Sequence, residues 1–370
     1  MLIVARKNLF SERTRLVISV GGIALSVLLI TFLLALFRGW NEKIGGFVDD
    51  VDADIWIARE GTTDFIVAAS ILPLEGADER FGQIDSIARW SPLIAIPMGA
   101  TGNGSEMDIH LIGFDPVSEM GGPVRVTEGE SIPGPGEVII DEALSRRYGM
   151  DIGDTLNAAG TDWEVVGKSS GGDFVASQAV FVTIEQAQEA LLLEGLATFL
   201  LVEMHDPDRA QGYARTIEHN VPGLVGFTSE DFAAATRDRI LGDVIPILTV
   251  ILILAFIVGL AVSGLTIYTA TVEKAREYGI LKAVGFKNSY LYRAVFEQSI
   301  VTGLLGFGTG AGLTILAGSF IQDLVPQFVT LIRWQDILGV AGITLIMSVL
   351  AAYVPVRRIA AIDPVAVFKA

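Results

Sequence analysis

Val-Ile-Pro-Ile-Leu-Thr-Val-Ile-Leu-Ile-Leu-Ala-Phe-Ile-Val-Gly-Leu-Ala-Val-Ser-Gly-Leu-Thr-Ile-Tyr-Thr-Ala-Thr-Val fills positions 244–272, 29 residues without a charge. A helix needs roughly 20 apolar residues to cross the hydrocarbon core of a bilayer, so this stretch is long enough to span it. Three further uncharged runs lie at 16–37 (22 residues), 298–322 (25 residues) and 337–356 (20 residues). Together they account for a 370-residue chain that is 51% hydrophobic, with a mean hydropathy of +0.53. Buried helices of a soluble protein are the alternative, but four such runs without one charged side chain disfavour it. The first run is too long for the apolar core of a signal peptide, and no small-x-small cleavage site follows Phe37. It is therefore expected to remain as an uncleaved first span.

Charge sets the orientation. Arg6, Lys7, Arg13 and Arg15 precede the first run; Lys274, Arg276, Lys282, Lys287 and Arg293 separate the second from the third; Arg357, Arg358 and Lys369 follow the fourth. Cytoplasmic loops carry the excess of Lys and Arg, so these three segments, and with them both termini, are expected in the cytoplasm. The result is an α+β membrane protein: four transmembrane helices, with a large mixed α/β extracytoplasmic domain between the first and second. The expected boundaries are an interfacial helix at 1–15, spans at 16–38, 244–272, 298–322 and 337–356, and the outer domain at 39–243. A cytoplasmic segment at 273–297, an outer loop at 323–336 and a cytoplasmic tail at 357–370 complete the chain.

The outer segment holds 36 Asp and Glu against 12 Lys and Arg. Such a balance keeps a domain soluble; its other meaning is affinity for cationic or amphipathic substrates, and its sign disfavours nucleic acid. Strands are expected at 54–57, 109–114, 137–141, 163–167, 179–183 and 199–204, where Val, Ile and aromatic residues gather. Helices are expected at 142–148, 185–193, 207–219 and 230–241, the third and fourth behind the capping residues Asp206 and Ser229. Breaks rich in Gly and Pro suggest a β-rich subdomain over 99–195 inserted into a smaller α/β unit. The helix from Glu230 has only Asp243 and Pro246 between it and the second span; if continuous it is a rod of roughly 64 Å. A stiff element of that length, rooted in the bilayer, can carry a tilt or shear to the outer domain.

Several activities find no support. No Gly-x-x-x-x-Gly-Lys-Ser/Thr loop is present, so any ATP-driven role needs a separate ATPase and this chain is expected to hold no cofactor. There is no cysteine. His110, His205 and His219 share no metal-ligand spacing, and Asp141-Glu142 sits where a strand meets a helix, a capping position. No Asp, Glu, Lys, Arg or His lies inside a span, which argues against an ion-coupled carrier. Gly306 with Gly310 and Gly308 with Gly312 have the spacing that lets helices approach closely, either within one subunit or between two.

The segment Glu273-Lys274-Ala275-Arg276-Glu277-Tyr278-Gly279-Ile280-Leu281-Lys282-Ala283-Val284-Gly285 resembles the Glu-Ile-Gly-Ile-Leu-Arg-Ala-x-Gly signature of the MacB/FtsX-type ABC permease family. Glu277, Gly279 and Gly285 match it, and Tyr278 stands where the family has Ile. Phe296-Glu297 and the glycine-rich third run are also similar to that family. So are the tail Pro355-Val356-Arg357-Arg358-Ile359-Ala360-Ala361-Ile362-Asp363-Pro364 and the start Arg13-Thr14-Arg15-Leu16 leading into Gly22-Ile23. In the outer segment Gly136-Glu137-Val138-Ile139-Ile140, Gly153-Asp154, Val165-Val166-Gly167 and Val180-Phe181-Val182 resemble the family's β-rich insert. The resemblance implies a non-catalytic permease dimer in the cell membrane, bound to cytoplasmic ATPase subunits and, in some members, to a periplasmic adaptor. It implies a scheme in which ATP-driven closure moves the outer domains to export or extract a substrate. An FtsX-like activator of a cell-wall hydrolase is the alternative. Arg276, Glu277, Gly279, Lys282 and Gly285 are then the expected ATPase-coupling residues, and Gly306, Gly308, Gly310 and Gly312 the expected helix-packing ones. A plain cytoplasmic loop, held inside by its charge alone, is the other reading of 273–287.

Overall fold

The computed structural model describes residues 13–66, 70–81, 84–324 and 331–360. Most of the expected interfacial helix, the middle of the loop at 323–336 and the end of the tail lie outside them. In chain order, helix α1 (Arg13–Asp50) is followed by β1 (Ile55–Arg59), β2 (Leu72–Pro73) and α2 (Ala77–Phe81). Next come β3 (Ile87–Gly102), β4 (Ser105–Phe114), β5 (Arg125–Gly129), β6 (Glu137–Asp141) and α3 (Glu142–Tyr148). Then follow β7 (Thr155–Ala158), β8 (Thr161–Ser170), β9 (Gln178–Thr183), α4 (Ile184–Leu191), β10 (Leu196–Ala197) and β11 (Phe199–Met204). A 3-10 turn (Pro207–Arg209) opens α5 (Ala210–Asn220), and β12 (Leu224–Thr228) leads to α6 (Ser229–Glu273). The chain closes with α7 (Ala275–Ala283), α8 (Asn288–Leu324) and α9 (Trp334–Ala360). Contacts divide the described residues into two compact units, one gathering 13–38 with 245–324 and 331–360, the other centred on 39–244.

In the second unit, β12, β1, β11, β3, β4, β9, β6, β8 and β5 are neighbours in that order, and β7 joins β3 to β8. The ladders β3–β4, β4–β9, β9–β6, β6–β8, β8–β7 and β7–β3 therefore return to their starting strand. A sheet closed in this way leaves those strands no shared open edge. Its interior is filled by Ile109, Leu111, Val138, Ile140, Leu156, Trp163, Val165, Val180 and Val182, with Leu144 and Ala187 from α3 and α4. Five of its six strands fall within the expected insert 99–195, but the sixth, β3, begins at Ile87, so the ring starts before that boundary; through β3 it is also hydrogen-bonded to the smaller α/β part. That smaller part has its own core, where Ile55, Ile57, Leu200 and Val202 meet Ala210, Ala214 and Ile217 of α5. A third cluster joins both parts: Phe47 and Val48 of α1, Val51 just after it, and Phe232 and Ala233 of α6 pack with Trp56, Phe65, Phe114, Phe181 and Phe199.

Strand β3 was not expected over its full length, because Pro92, Pro97 and Gly99 read as breaks. Between its pairing with β11 and its pairing with β7, residues 94–99 have a ladder only with β4, so a residue without an N–H is tolerated there. Helix α1 also differs from expectation, which ended it at 38. It runs on to Asp50 because Ile44, Phe47 and Val48 on one face are fully buried.

In the first unit, α1, α6, α8 and α9 are each long and apolar enough to cross a membrane. Ile23, Val27 and Ile30 of α1 pack with Ala255, Val340 and Met347. Small residues set the approach of the helices: a Cβ added at Gly22 would lie 2.4 Å from Val262 Cγ1, and one at Gly303 2.1 Å from Ser348 Oγ. Several hydroxyls in the spans donate to backbone carbonyls, as in Ser299 Oγ–H to Ser348 O (2.5 Å) and Ser348 Oγ–H to Thr344 O (2.8 Å), whereas Thr31 Oγ1 and Ser263 Oγ are buried without a partner among the described residues. In hydrocarbon no water offers an alternative partner.

Candidate functional site

Only Lys274 separates α6 from the nine-residue α7; its backbone (φ −88°, ψ 10°) leaves the helical region for one residue. One side of α7 is anchored. Gly279 is buried, and Tyr278 and Leu281 pack against a cluster of Ile267, Leu291, Val295, Ala351 and Ala352. The Tyr278 that departs from the signature thus extends an apolar contact with α8 and α9. The other side is open: Arg276 and Glu277 are exposed, and so are Ile280, Val284 (74% exposed) and Phe286. Lys282 is half-buried.

Gly285 ends the helix. Its φ of +98° places it in the region that favours glycine, its N–H donates to Lys282 O (3.0 Å), and the next N–H, of Phe286, reaches back to Leu281 O (3.0 Å). That reciprocal pair is a Schellman stop, which satisfies carbonyls the helix would otherwise leave open. Phe286 then rests on Tyr290, ring centroids 5.1 Å apart. With Val284, Lys287, Ser289 and Arg293 these two rings line a shallow depression of about 580 Å³. The segment is a short knob with an apolar tip and charged shoulders. Five residues singled out in the sequence fall on it, but Gly279 is buried on the anchored side and Gly285 ends the helix, while Arg276 and Glu277 face outward. Ile280, Val284 and Phe286 were not singled out; apolar side chains between charges on a segment too short to bury them are the signal that marks them.

The glycines of α8 separate by face. A Cβ at Gly306 would meet Ile23 Cγ2 at 2.5 Å, and one at Gly310 would meet Ala24 O at 2.5 Å, so this pair seats α8 on α1. Gly308 and Gly312 have nothing within 4 Å of an added Cβ. A small polar cavity of about 30 Å³, lined by Arg15, Ser19, Thr271, Lys274, Gln298 and Thr302 among others, lies beside the start of α7 and has room for water. Arg15 also forms an ion pair with Glu273.

In the outer domain the titratable groups are structural. His110 is buried between Phe65 and Phe174; its Nε2–H donates to Ile66 O (3.1 Å) and its Nδ1 accepts from Ser177 Oγ–H (2.8 Å). Burial lowers its pKa to about 4. Asp141 caps α3, accepting from the N–H of Ala143 and of Gly172, each at 2.8 Å, and burial raises its pKa to about 6. His205 and His219 are exposed. Among the described residues no group of three or more His, Asp or Glu is placed to hold a metal ion.

Residues 16–219 match the family model of the MacB-like periplasmic core domain, and residues 247–364 match the FtsX-like permease C-terminal model. An uncharacterised ABC transporter permease of Mycobacterium bovis is 23% identical over 372 residues, covering 100% of this chain and 99% of that protein. The macrolide export ATP-binding/permease protein MacB of Hahella chejuensis is 21% identical over 387 residues, covering 96% of this chain and 58% of that protein. Among solved structures, the periplasmic region of MacB from Actinobacillus actinomycetemcomitans aligns with a TM-score of 0.38 and 12% identity over 50% of this chain and 92% of that one. The outer domain and the permease helices are each matched by a model of the same kind of protein: this chain belongs to the MacB/FtsX-type family of ABC transporter permeases, multi-pass membrane proteins that work with an ATPase partner.

Proposed function

We propose that this chain is the membrane subunit through which a separate cytoplasmic ATPase moves residues 39–243 on the far side, to export or extract a substrate by transmitted motion. The observation that carries this is α7, a knob with Ile280, Val284 and Phe286 outward beside Arg276 and Glu277, one residue away from a 45-residue helix. An apolar tip with a charged rim has the composition of a protein docking site. The distribution of Lys and Arg supports cytoplasmic termini, which puts α7 on the ATPase side. ATP is bound by that partner, and this chain has no catalytic role. The open Gly308 and Gly312 suit a permease homodimer, and the acidic outer domain suits contact with an adaptor protein.

The test is reconstitution with the co-purifying ATPase. Glu277→Lys or Gly279→Leu is expected to lower substrate-stimulated hydrolysis while leaving the ATPase's own basal rate in place. Stimulated hydrolysis at the wild-type level in both variants would count against the docking role. The second reading, an FtsX-like activator of a cell-wall hydrolase, is disfavoured by an outer domain of 205 residues with its own closed β ring. A deletion strain that accumulates an unexported compound separates the two.

A further inference from the structure

Arg237 of α6 lies along one stripe of α1. Asn41, Gly45 and Asp49 are spaced four residues apart, so they stack on a single helix face. The Arg237 side chain touches all three. Its Nε–H donates to Asn41 O (3.1 Å), its guanidinium pairs with the Asp49 carboxylate, and its Cζ and Nε would both lie 2.5 Å from a Cβ added at Gly45. Gly45 is itself buried, although alanine would favour the helix more. The notch exists only because position 45 has no side chain, and the guanidinium fills it. Next to this contact, Phe47 and Val48 of α1 share one buried cluster with Phe232 and Ala233 of α6. Apolar ridges seated in grooves leave several neighbouring settings open, whereas a charged fork seated in a notch adds a single axial position and rotation.

Beyond Arg237, the same stretch of α1 is fastened to the ring. Lys43 Nζ lies 3.7 Å from Asp173 Oδ2, and Phe47 makes ring contacts with Phe174 (5.7 Å) and Phe181 (6.1 Å). Asp173 and Phe174 belong to the loop before β9, and Asp173 also accepts from the N–H of Val175 at 3.0 Å.

We infer that Arg237 in the Gly45 notch is a register key: it locks α1 to α6 at one axial setting, so the two long helices deliver motion to the outer domain as a pair. The inference rests on the proposed transmission of motion for its role, but the key itself is testable without it. Arg237 is a positioning residue and touches no substrate.

The chain has no cysteine, so labels can be placed at will. Spin labels at Asp50→Cys of α1 and Asp238→Cys of α6 in the full-length permease in nanodiscs should give a single narrow distance distribution. Gly45→Ala is the informative variant: the new methyl group evicts only the mobile end of Arg237, and alanine favours the helix, so the melting temperature should hold or rise. The distance distribution should nevertheless broaden or split. Arg237→Ala should broaden it too, and Arg237→Lys should fall between, since it keeps a charge for Asp49 but loses the fork. A merely structural contact would move the melting temperature and the distribution together.

Narrow, unshifted distributions in both Gly45→Ala and Arg237→Ala would overturn the key, whatever the ATPase does. Broadened distributions establish it. If in addition substrate-stimulated hydrolysis and export in the reconstituted complex stay at wild-type levels, the key stands and the transmission reading fails.

Discussion

Arg38 of α1 forks onto Asp336 at the start of α9, Nε to Oδ2 at 2.7 Å and Nη2 to Oδ1 at 2.8 Å. Two parallel charge-assisted bonds fix an orientation as well as a distance. The Asp336 side chain is 11% exposed, so the pair is only partly open to water. Asp336→Asn or Arg38→Gln should each destabilise the helical unit by about 1 kcal/mol, and the double variant should cost less than the sum. Thermal melting of the four proteins in one detergent checks this; strictly additive losses would mean the fork contributes nothing.

The outer domain carries two buried groups that titrate in opposition. Asp141 has its folded pKa raised from 3.8 to about 6, so between those values the unfolded chain releases its proton first and stability falls as pH rises. His110 has its folded pKa lowered from 6.5 to about 4, so the unfolded chain takes its proton first and stability falls as pH drops through that window. Each amounts to about 3 kcal/mol over its range, with opposite sign, so the two nearly cancel. Wild-type denaturation midpoints should accordingly owe little net slope to this pair between pH 4.5 and 6. Relative to wild type, Asp141→Asn should gain stability as pH rises, and His110→Gln should gain it as pH falls. Parallel pH profiles for the three proteins would refute the assignment.

Glycines of equal spacing on α8 should not respond alike. Gly310→Ala pushes a methyl group against the Ala24 carbonyl oxygen, a backbone atom that cannot swing away, and should cost about 1–3 kcal/mol. Gly312→Ala meets nothing within 4 Å among the described residues and should leave the melting temperature of the isolated permease unchanged or higher. Melting curves of the two variants side by side decide the matter.

At the end of α7, Gly285→Ala forces a Cβ into a left-handed conformation at a cost of about 1–2 kcal/mol. The expected effect is local: faster amide exchange at Lys282, Phe286 and neighbouring positions, with exchange in the ring strands unaltered. Protection at the wild-type level across 280–286 would show that the stop is not needed.

The spans were legible because hydrocarbon imposes a length and forbids charge, both visible in one dimension. So were β6, α3 and β11, short segments of strong propensity with a clear cap or break at each end. What the sequence could not convey was pairing across distance. Gly102 beside Leu156 closes the ring, yet nothing local to either residue announces the other. Gly306 and Gly308 are indistinguishable as letters; only the position of Ile23 makes one a seat and leaves the other open. The glycine at 45 looks like a weakness in a helix until Arg237 is seen lying in it. In α7, Gly285 was found by resemblance, and its reason, a positive φ, came only with the backbone.

The ring has a mechanical consequence. A strand at the margin of an open sheet can be peeled off by breaking one ladder, bond after bond, under a small force. Each hoop strand from β3 round to β7 is held on both flanks, so a tug on any of them is shared around the circumference. A barrel hooped in this way can be hauled on repeatedly without unravelling.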